Sequence, residues 1–242
     1  MTNFLNASWE NLIMANYAVN PNVLAPYLPK GVELDFYNGE TYVSLVGFMF
    51  KNTRIFQILI PSYGTFEEIN LRFYVIRKEG GLVKRGVVFI NETIPYRAVA
   101  WVANKLYKEH YTTIPTKNRI SINTTHKKIE YMWQINSVWN SIYIESSTDK
   151  DEMQTNSFEE FIFEHYYGYT KIDNFKTEEY KVNHPRWKVN KVTNYKINCD
   201  FDKMYGNHFL FLKTVNPNSV FLAEGSAVSV KWKRTRIKFG VE

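Results

Sequence analysis

The chain has 242 residues, of which 45% are hydrophobic and 22% charged, a composition typical of a globular protein rather than a disordered one. Its formal net charge is +6, but lysines alternate with acidic residues except in the basic run at 231–238, so we expect no nucleic-acid partner. A single cysteine excludes an intramolecular disulfide, and the lack of a signal-like or long apolar stretch favours a cytoplasmic protein that does not enter a membrane.

The first part of the chain predicts β-strands around one short helix. Asn20 is a suitable cap for that helix, and Pro21 suits its first turn. Asn38-Gly39 is a strong signal for a two-residue hairpin turn. The predicted elements are a buried strand at 9–19, the helix at 20–28, a hairpin of strands at 32–37 and 41–50, and a loop at 51–65.

The second hairpin is the clearest strand pairing in the sequence. Residues 66–78 and 82–94 both have strand character, and Glu79-Gly80-Gly81 supplies the turn between them. Pro95 then begins a helix predicted over residues 96–107, where apolar residues recur at helical spacing.

The second half repeats this style, and we expect one domain over residues 1–242. Ser157 and Glu160 have the spacing of a capping box, which predicts a helix from Ser157 to Gly168. The predicted elements are, in chain order, strands at 119–124, 127–135 and 138–146, the helix at 157–168, strands at 177–183 and 186–198, a helical turn at 201–206, and a strand at 219–233.

The strand at 66–75 carries an unusual polar face. Because successive side chains of a strand point to opposite sides, Glu68, Asn70 and Arg72 share one face, and the apolar residues from Ile69 to Val75 share the other. A carboxylate, an amide and a guanidinium in a row are unusual on a face that merely meets water. Inside a closed barrel they would form the floor of a polar pocket.

The sequence lacks the common motifs for metal, nucleophile and nucleotide chemistry. No two of the five histidines are four residues apart and there is no HExxH motif, so we expect no metal. There is no GxSxG elbow, P-loop or GxGxxG motif, and no flanking residue marks Cys199 as activated. We therefore expect no cofactor.

Several other polar residues lie within apolar runs. They are Arg85 and Glu92 on the second strand of the hairpin, Arg97 after it, His165 in the later helix and Glu224 in the last strand. Such groups, converging in a barrel, could bind an organic acid, since Arg pairs bidentately with carboxylate, and a desolvated Glu can transfer protons. The alternative is an internal network of ion pairs and hydrogen bonds that fixes strand register.

Longer strings of the sequence resemble a known family. The strings are WENLIMANYAVNPNVLAPYLPKGVELDFYNGETYVSLVGFMF, FEEINLRFYV, RGVVFINE, RAVAWVANKLYKEHY, EEFIFEHYYGYT, HPRW and LAEGS. Together they resemble the YqjF-like family of uncharacterised bacterial proteins over nearly the whole chain. That family is similar to the acetoacetate decarboxylase superfamily, which implies a curved antiparallel β-sheet that closes into a cone or barrel around a central cavity.

Enzymes of that superfamily use a lysine that forms a Schiff base, and its pKa is depressed by a neighbouring lysine and by desolvation. Their signature is an aromatic-Gly-aromatic-Pro-Lys-Lys run. The comparable place here is KLYKEHYTT at 105–113, which lacks the Gly, the Pro and the Lys pair. His110 or Tyr111 stands about where the nucleophile would be, with Lys105 and Lys108 nearby.

We therefore predict a mainly antiparallel β protein, a barrel or cone with a few flanking helices, whose cavity binds a small carboxylate-bearing molecule. If it is an enzyme, the expected mechanism is acid–base chemistry by Glu68 or His165. The candidate ligand-binding residues are Glu68, Asn70, Arg72, Arg85, Arg97, Tyr107 and Glu224.

Two alternatives stay open. The first is a non-catalytic, homo-oligomeric interaction protein that presents an aromatic surface formed by Trp133, Trp139 and Tyr143. The second is a divergent Schiff-base decarboxylase that uses Lys105 or Lys108.

Overall fold

The computed structural model describes residues 3–59, 64–97, 100, 111–232 and 234–239, and they form one sheet of 15 strands with short helices. The strands of the first half are β1 Asn3–Val19, β2 Glu33–Leu34, β3 Thr41–Ile55, β4 Ile58–Leu59, β5 Phe66–Glu79, β6 Leu82–Ile94 and β7 Tyr111–Thr113. Those of the second half are β8 Thr116–Ile122, β9 His126–Ile135, β10 Val138–Glu152, β11 Tyr167–Asp173, β12 Lys176–Asn183, β13 Lys188–Asn198, β14 Ser219–Lys231 and β15 Thr235–Lys238. The α-helices that lie wholly within the described residues are α1 Pro21–Leu24, α2 Phe158–Phe163 and α3 Phe201–Tyr205, and 3₁₀-helices span Ala25–Tyr27 and Asn207–Lys213.

Seven of the strands close into a ring. Their order is β12-β11-β6-β5-β3-β1-β14, and β14 pairs with β12 to complete the circuit, Val182 opposite Val230 and Asn183 opposite Ser229. Neighbours in the ring are antiparallel except β6 and β11, which run parallel through two residue pairs. The predicted fold class, a mainly antiparallel β-sheet that curves around a centre, is thus confirmed.

The strands outside the ring cover one of its faces. From β14 the sheet continues through β13, β10, β9 and β8, and residues of β9 and β10 share a buried apolar cluster with the outward face of β1, β3 and β5. The approach is close at Gly47, where a Cβ would lie 2.8 Å from the Tyr131 ring. Trp133 is fully buried in this cluster, so the prediction that it belongs to an exposed aromatic surface is wrong.

The C-terminal strand pairs with one strand of the ring. The first part of β12, residues 176–179, pairs with β15, and its last part, at Val182 and Asn183, pairs with β14. Glu178 of β12 is buried, and its two carboxylate oxygens accept hydrogen bonds of 2.8 Å from Arg234 and Arg236. A buried carboxylate held by two guanidiniums fixes the position of the C-terminal segment against β12.

The first predicted hairpin is correct in its turn and wrong in its pairing. Asn38 and Gly39 adopt positive φ angles of 51° and 83°, as a two-residue hairpin turn requires. The strand before the turn, however, pairs with β5 rather than with β3. The β3–β5 ladder stops at Val43 opposite Phe73 and leaves this edge of β5 open, and β2 occupies it.

Several predicted boundaries move. β3 continues to Ile55, and a tight turn at Phe56-Gln57 leads to β4, so residues 51–59 form the end of one strand, a turn and a second strand rather than a loop. Ser157 caps α2 as predicted, since its Oγ accepts the Glu160 N–H at 3.1 Å. The helix ends at Phe163, however, and β11 begins at Tyr167.

Other elements lie close to their predicted positions, whereas β7, β11 and β15 are strands that the sequence pattern does not predict. β5 with β6, β9 with β10, and α3 lie where the sequence places them, whereas the helix predicted over 96–107 falls largely outside the described residues. Within the described residues, no helix combines the length and apolar character that crossing a membrane requires.

Candidate functional site

The ring encloses a cavity of about 120 Å³. Each of the seven ring strands contributes to its lining, for example Trp9, Phe48, Asn70, Glu92, Tyr167, Val182 and Val230. Residues at the end of α2 and in the segment between β12 and β13 add to it, namely Phe163, His165, His184 and Trp187. A concave, mostly apolar space with a few polar groups is the usual form of a small-molecule site.

One side of the cavity is polar, and β5 and β6 form it. Glu68, Asn70 and Arg72 of β5 share a face as predicted, and that face lines the cavity together with Glu92 of β6. These four residues are called the polar wall below. Asn70 donates a 2.9 Å hydrogen bond to Glu68, and both residues are 2% exposed, so this part of the polar wall is nearly withdrawn from bulk water.

Glu92 reaches the polar wall through a bulge that the sequence did not reveal. Asn70 lies opposite Glu92, but Arg72 lies opposite Phe89, so Ile90 is an extra residue on β6. The extra residue reverses the alternation of side chains, and both Phe89 and Glu92 line the cavity.

Arg72 places a permanent positive charge in the cavity. One terminal nitrogen contacts Met14 Sδ at 3.4 Å and donates to the carbonyl of Ile162 at 3.5 Å, both weak contacts. Nε is buried without a hydrogen-bond partner, and no acidic side chain among the described residues forms an ion pair with this guanidinium. A partly buried guanidinium in this state has donors to offer an anion.

His165 brings a neutral imidazole to the same cavity. Burial lowers the pKa of His165 to about 4, and the hydrogen bond to Asp35 only partly offsets this effect. Its Nε2 lies 3.0 Å from Asp35 Oδ2, so in the neutral ring Nε2–H donates to that carboxylate. Nδ1 is then the unprotonated acceptor, and it is buried with no partner among the described residues.

Asp35 is shared between His165 and Arg85. Burial raises the pKa of the Asp35 carboxyl, but the bonds from His165 and Arg85 together lower it below its usual value. The Arg85 Nε donates to the same Oδ2 at 2.8 Å, and its guanidinium lies 4.9 Å above the ring of Phe161. Arg85 therefore does not line the cavity and instead keeps the carboxylate behind His165 ionised.

The other predicted site residues lie elsewhere or outside the described residues. Arg97 is exposed. Glu224 lies away from the cavity lining and forms a 2.7 Å ion pair with Lys150. Tyr107, Lys105, Lys108 and His110 all fall outside the described ranges, so the Schiff-base alternative stays a prediction.

Tyr111 and His184 also line the cavity, although the predicted site includes neither of them. The hydroxyl of Tyr111, on β7, donates to Glu68 at 3.2 Å. His184 stacks on Trp187 with ring centroids 4.2 Å apart, and its Nδ1 donates to the Pro185 carbonyl. The string HPRW was the available signal, since it places a histidine beside an aromatic ring between two strands. Burial lowers the pKa of His184, which therefore presents an acceptor at Nε2.

The arrangement combines a cation, carboxylates, an amide and neutral imidazoles inside an apolar enclosure. Such a set can bind an anion and can accept or deliver protons. Among the described residues, no group of three or more His, Cys, Asp or Glu side chains is placed to hold a metal ion.

Sequence comparison identifies relatives of unknown activity. The family described as DUF2071, uncharacterized conserved protein, matches residues 6–227. The uncharacterized protein YqjF of Bacillus subtilis (strain 168) is 30% identical over 108 residues. That match spans 44% of this chain and 43% of the relative, so less than half of either protein is aligned.

Three enzymes of known structure have a similar fold. An acetoacetate decarboxylase-like enzyme from Sphingomonas wittichii RW1 matches with a TM-score of 0.64 and 8% identity, over 98% of this chain and 94% of that one. The acetoacetate decarboxylase of Legionella pneumophila matches with a TM-score of 0.63 and 9% identity, over 97% and 87%. The enduracididine biosynthesis enzyme MppR complexed with pyruvate matches with a TM-score of 0.62 and 9% identity, over 98% of this chain and 91% of that one. Identities this low establish a shared fold alone.

Proposed function

The chain belongs to the DUF2071 family of uncharacterized proteins, and we propose that it binds a small organic molecule through a carboxylate in the ring cavity. The observation that carries the proposal is the state of Arg72, a partly buried cation that lines the cavity and forms no ion pair with an acidic side chain among the described residues. Partial burial of an unpaired charge costs free energy, and a carboxylate ligand supplies a partner for Arg72.

The neighbouring groups fit the same ligand. Asn70 donates to Glu68, so the amide oxygen, which is buried without a partner, is left to accept from a hydroxyl or amine of the ligand. The neutral His165 offers a second buried acceptor in its Nδ1. A molecule with a carboxylate at one end and a hydrogen-bond donor nearby satisfies all three residues. The pyruvate complex of the similarly folded MppR makes pyruvate a natural first probe.

Binding of pyruvate and related acids, measured by isothermal titration calorimetry, tests the proposal. We expect Arg72→Gln to weaken binding about 30-fold, since a charge-assisted hydrogen bond contributes about 2 kcal/mol. The control is Arg119→Gln, which removes the same charge from an exposed side chain whose ion pair is long, at 3.5 Å. Equal affinity of wild type and Arg72→Gln, or no binding of any carboxylate, contradicts the proposal.

Proton transfer to or from the bound molecule is a second candidate function. The observation that favours it is the pairing of His165 with Asp35, which orients an unprotonated nitrogen in a cavity that also holds Glu68. A group of this kind removes a proton from a carbon next to a carbonyl, and a cation near the carboxylate stabilises the charge that develops.

Deuterium incorporation into the methyl group of pyruvate, followed by proton NMR in D₂O, tests this second function. We expect exchange above the background rate, and a large loss of it in Glu68→Gln or His165→Gln. Glu67→Gln is the matched control, because Glu67 is a buried carboxylate on the opposite face of the same strand and accepts from Thr116 at 2.8 Å. Exchange that survives in both cavity variants excludes proton transfer by either residue.

A further inference from the structure

The cavity has two chemically different sides. Across the ring from the polar wall lie β1, β14 and β12, and their lining residues are Phe4, Leu5, Trp9, Leu12, Tyr180, Val182 and Val230. We call these residues the apolar wall. Its polar side-chain atoms are the indole nitrogen of Trp9 and the hydroxyl of Tyr180. The remaining surface is hydrocarbon.

A bulge in β1 builds this apolar wall. Glu10 lies opposite Met49 and Ile13 opposite Gly47, so β1 has one residue more than β3 over this stretch. Asn11 has a positive φ of 54°, and it marks the extra residue. Because the bulge reverses the alternation, Trp9 and Leu12 both face the cavity, and the wall stays apolar across the interruption.

The apolar wall continues to the molecular surface. Phe4 lines the cavity and also packs against Phe56 at 5.3 Å and Trp232 at 5.6 Å between ring centroids. Those two rings are 42% and 49% exposed. An apolar path therefore leads from the cavity interior through Phe4 to a patch of half-exposed aromatic side chains.

We infer that the ligand is an amphipathic monocarboxylate with an aryl or medium-chain alkyl body. This inference rests on the function proposed above: the carboxylate pairs with Arg72, and the body lies along the apolar wall. A short acid such as acetate or pyruvate leaves that wall in contact with water, whereas a longer body removes apolar surface from water on both partners. The orientation is fixed because only one side of the cavity carries a positive charge among the described residues.

A series of acids tests the inference: acetate, butanoate, hexanoate, octanoate and 3-phenylpropanoate. Binding can be followed by tryptophan fluorescence, since Trp9 and Trp187 line the cavity. We expect affinity to rise about fourfold per added methylene until the wall is covered. 3-Phenylpropanoate is expected to bind more tightly than butanoate, and Arg72→Gln is expected to weaken every member of the series.

Two variants of the apolar wall sharpen the test. Val182→Thr and Val230→Thr keep the side-chain shape and replace a methyl group with a hydroxyl, so each is expected to weaken octanoate binding several-fold and to leave acetate binding unchanged. Val138→Thr, at an exposed position, is the control. These polar isosteres perturb the fold little, and a thermal unfolding curve of each checks that the protein is folded.

The outcomes separate this inference from the function on which it rests. If acetate and octanoate bind equally and both depend on Arg72, the proposed function stands and the inference is overturned. If 1-octanol binds as tightly as octanoate and Arg72→Gln changes neither, the carboxylate is not recognised and both fall. If no acid binds, both fall as well.

Discussion

The Nε2 atom of His165 lies 3.0 Å from Oδ2 of Asp35, although 130 positions separate the two residues in the sequence. Asp35 follows β2, which pairs with the open edge of β5, and its N–H donates to the carbonyl of Tyr74 at 3.0 Å. The same β5 strand carries the polar wall. The strand that presents Arg72 therefore also positions the carboxylate that sets the tautomer of His165.

Loss of the Asp35 charge is expected to destabilise the fold. Asp35→Asn leaves Arg85 without its counter-ion, and we expect the free energy of unfolding in urea to fall by about 1–2 kcal/mol. The figure is kept low because the Arg85 side chain is 33% exposed and partly solvated. Glu33→Gln serves as the control, since its ion pair with Lys78 is largely exposed and its loss is expected to change stability by less than about 0.5 kcal/mol. Equal effects of the two changes would contradict the role given to Asp35.

The stability of the protein is expected to fall with pH through His165. Its pKa is about 4 in the folded protein and about 6.5 in the unfolded chain, so the unfolded state binds more protons between these values. The free energy of unfolding therefore decreases by about 3 kcal/mol from this residue alone as the pH falls from about 7 to about 4. Urea unfolding at several pH values gives the free energy of unfolding as a function of pH. In His165→Gln, its decrease between about pH 7 and about pH 4 should be smaller by that amount. His208→Gln, at an exposed position, is expected to keep the wild-type slope.

Gly225 is expected to tolerate no side chain. Its φ is +81°, and a Cβ there would overlap the backbone carbonyl of Trp9 at the β1 bulge. Gly39 has nearly the same φ, +83°, but open space around it. Gly39→Ala is thus expected to cost about 1 kcal/mol of stability, and Gly225→Ala at least twice as much. Comparing the thermal unfolding of the two variants separates the cost of the steric overlap from the cost of the positive φ. Equal losses of stability would mean that the β1 bulge shifts to accommodate the methyl group.

A Schiff base on Lys105 or Lys108 is not expected. The segment lacks the Pro-Lys-Lys arrangement that depresses the pKa of the reactive lysine in the superfamily that the sequence resembles. Incubation with a β-keto acid and borohydride, followed by peptide mass spectrometry, should leave both lysines unlabelled. Substrate-dependent labelling of either one would show that it forms a Schiff base and would support the decarboxylase alternative instead.

The part of the site predicted best is the part on a regular strand. Glu68, Asn70 and Arg72 lie on an unbroken stretch of β5, where alternation alone places them on one face. Glu92 and Trp9 follow a different rule, because each lies near a bulge that shifts the alternation by one residue. Bulges depend on how two strands fit together, and one sequence does not show that fit.

Charged residues were harder to assign because their partners come from distant strands. Arg85 and Glu224 were expected at the cavity, but Asp35 and Lys150 hold them in ion pairs. The sequence shows that a charged residue lies within an apolar run. It does not show which distant residue is the counter-ion. His165 was expected on a helix, whereas α2 ends two residues earlier and the imidazole reaches Asp35 from the segment that follows.

The closure of the ring has a mechanical consequence. The β11–β12 hairpin forms one segment of the ring. Two residue pairs join it to β6 on one side, and two join it to β14 on the other. The long ladders of β1 with β3 and β14 resist separation of their strands. Any change in the circumference of the ring is therefore expected at the two short ladders, β6–β11 and β12–β14. Val182 and Val230 lie on the β12–β14 ladder. The hydrogen bonds from Arg234 and Arg236 to Glu178 hold the segment that follows β14 against β12. We therefore expect backbone amides along these two short ladders to exchange with solvent before those of the other ring strands.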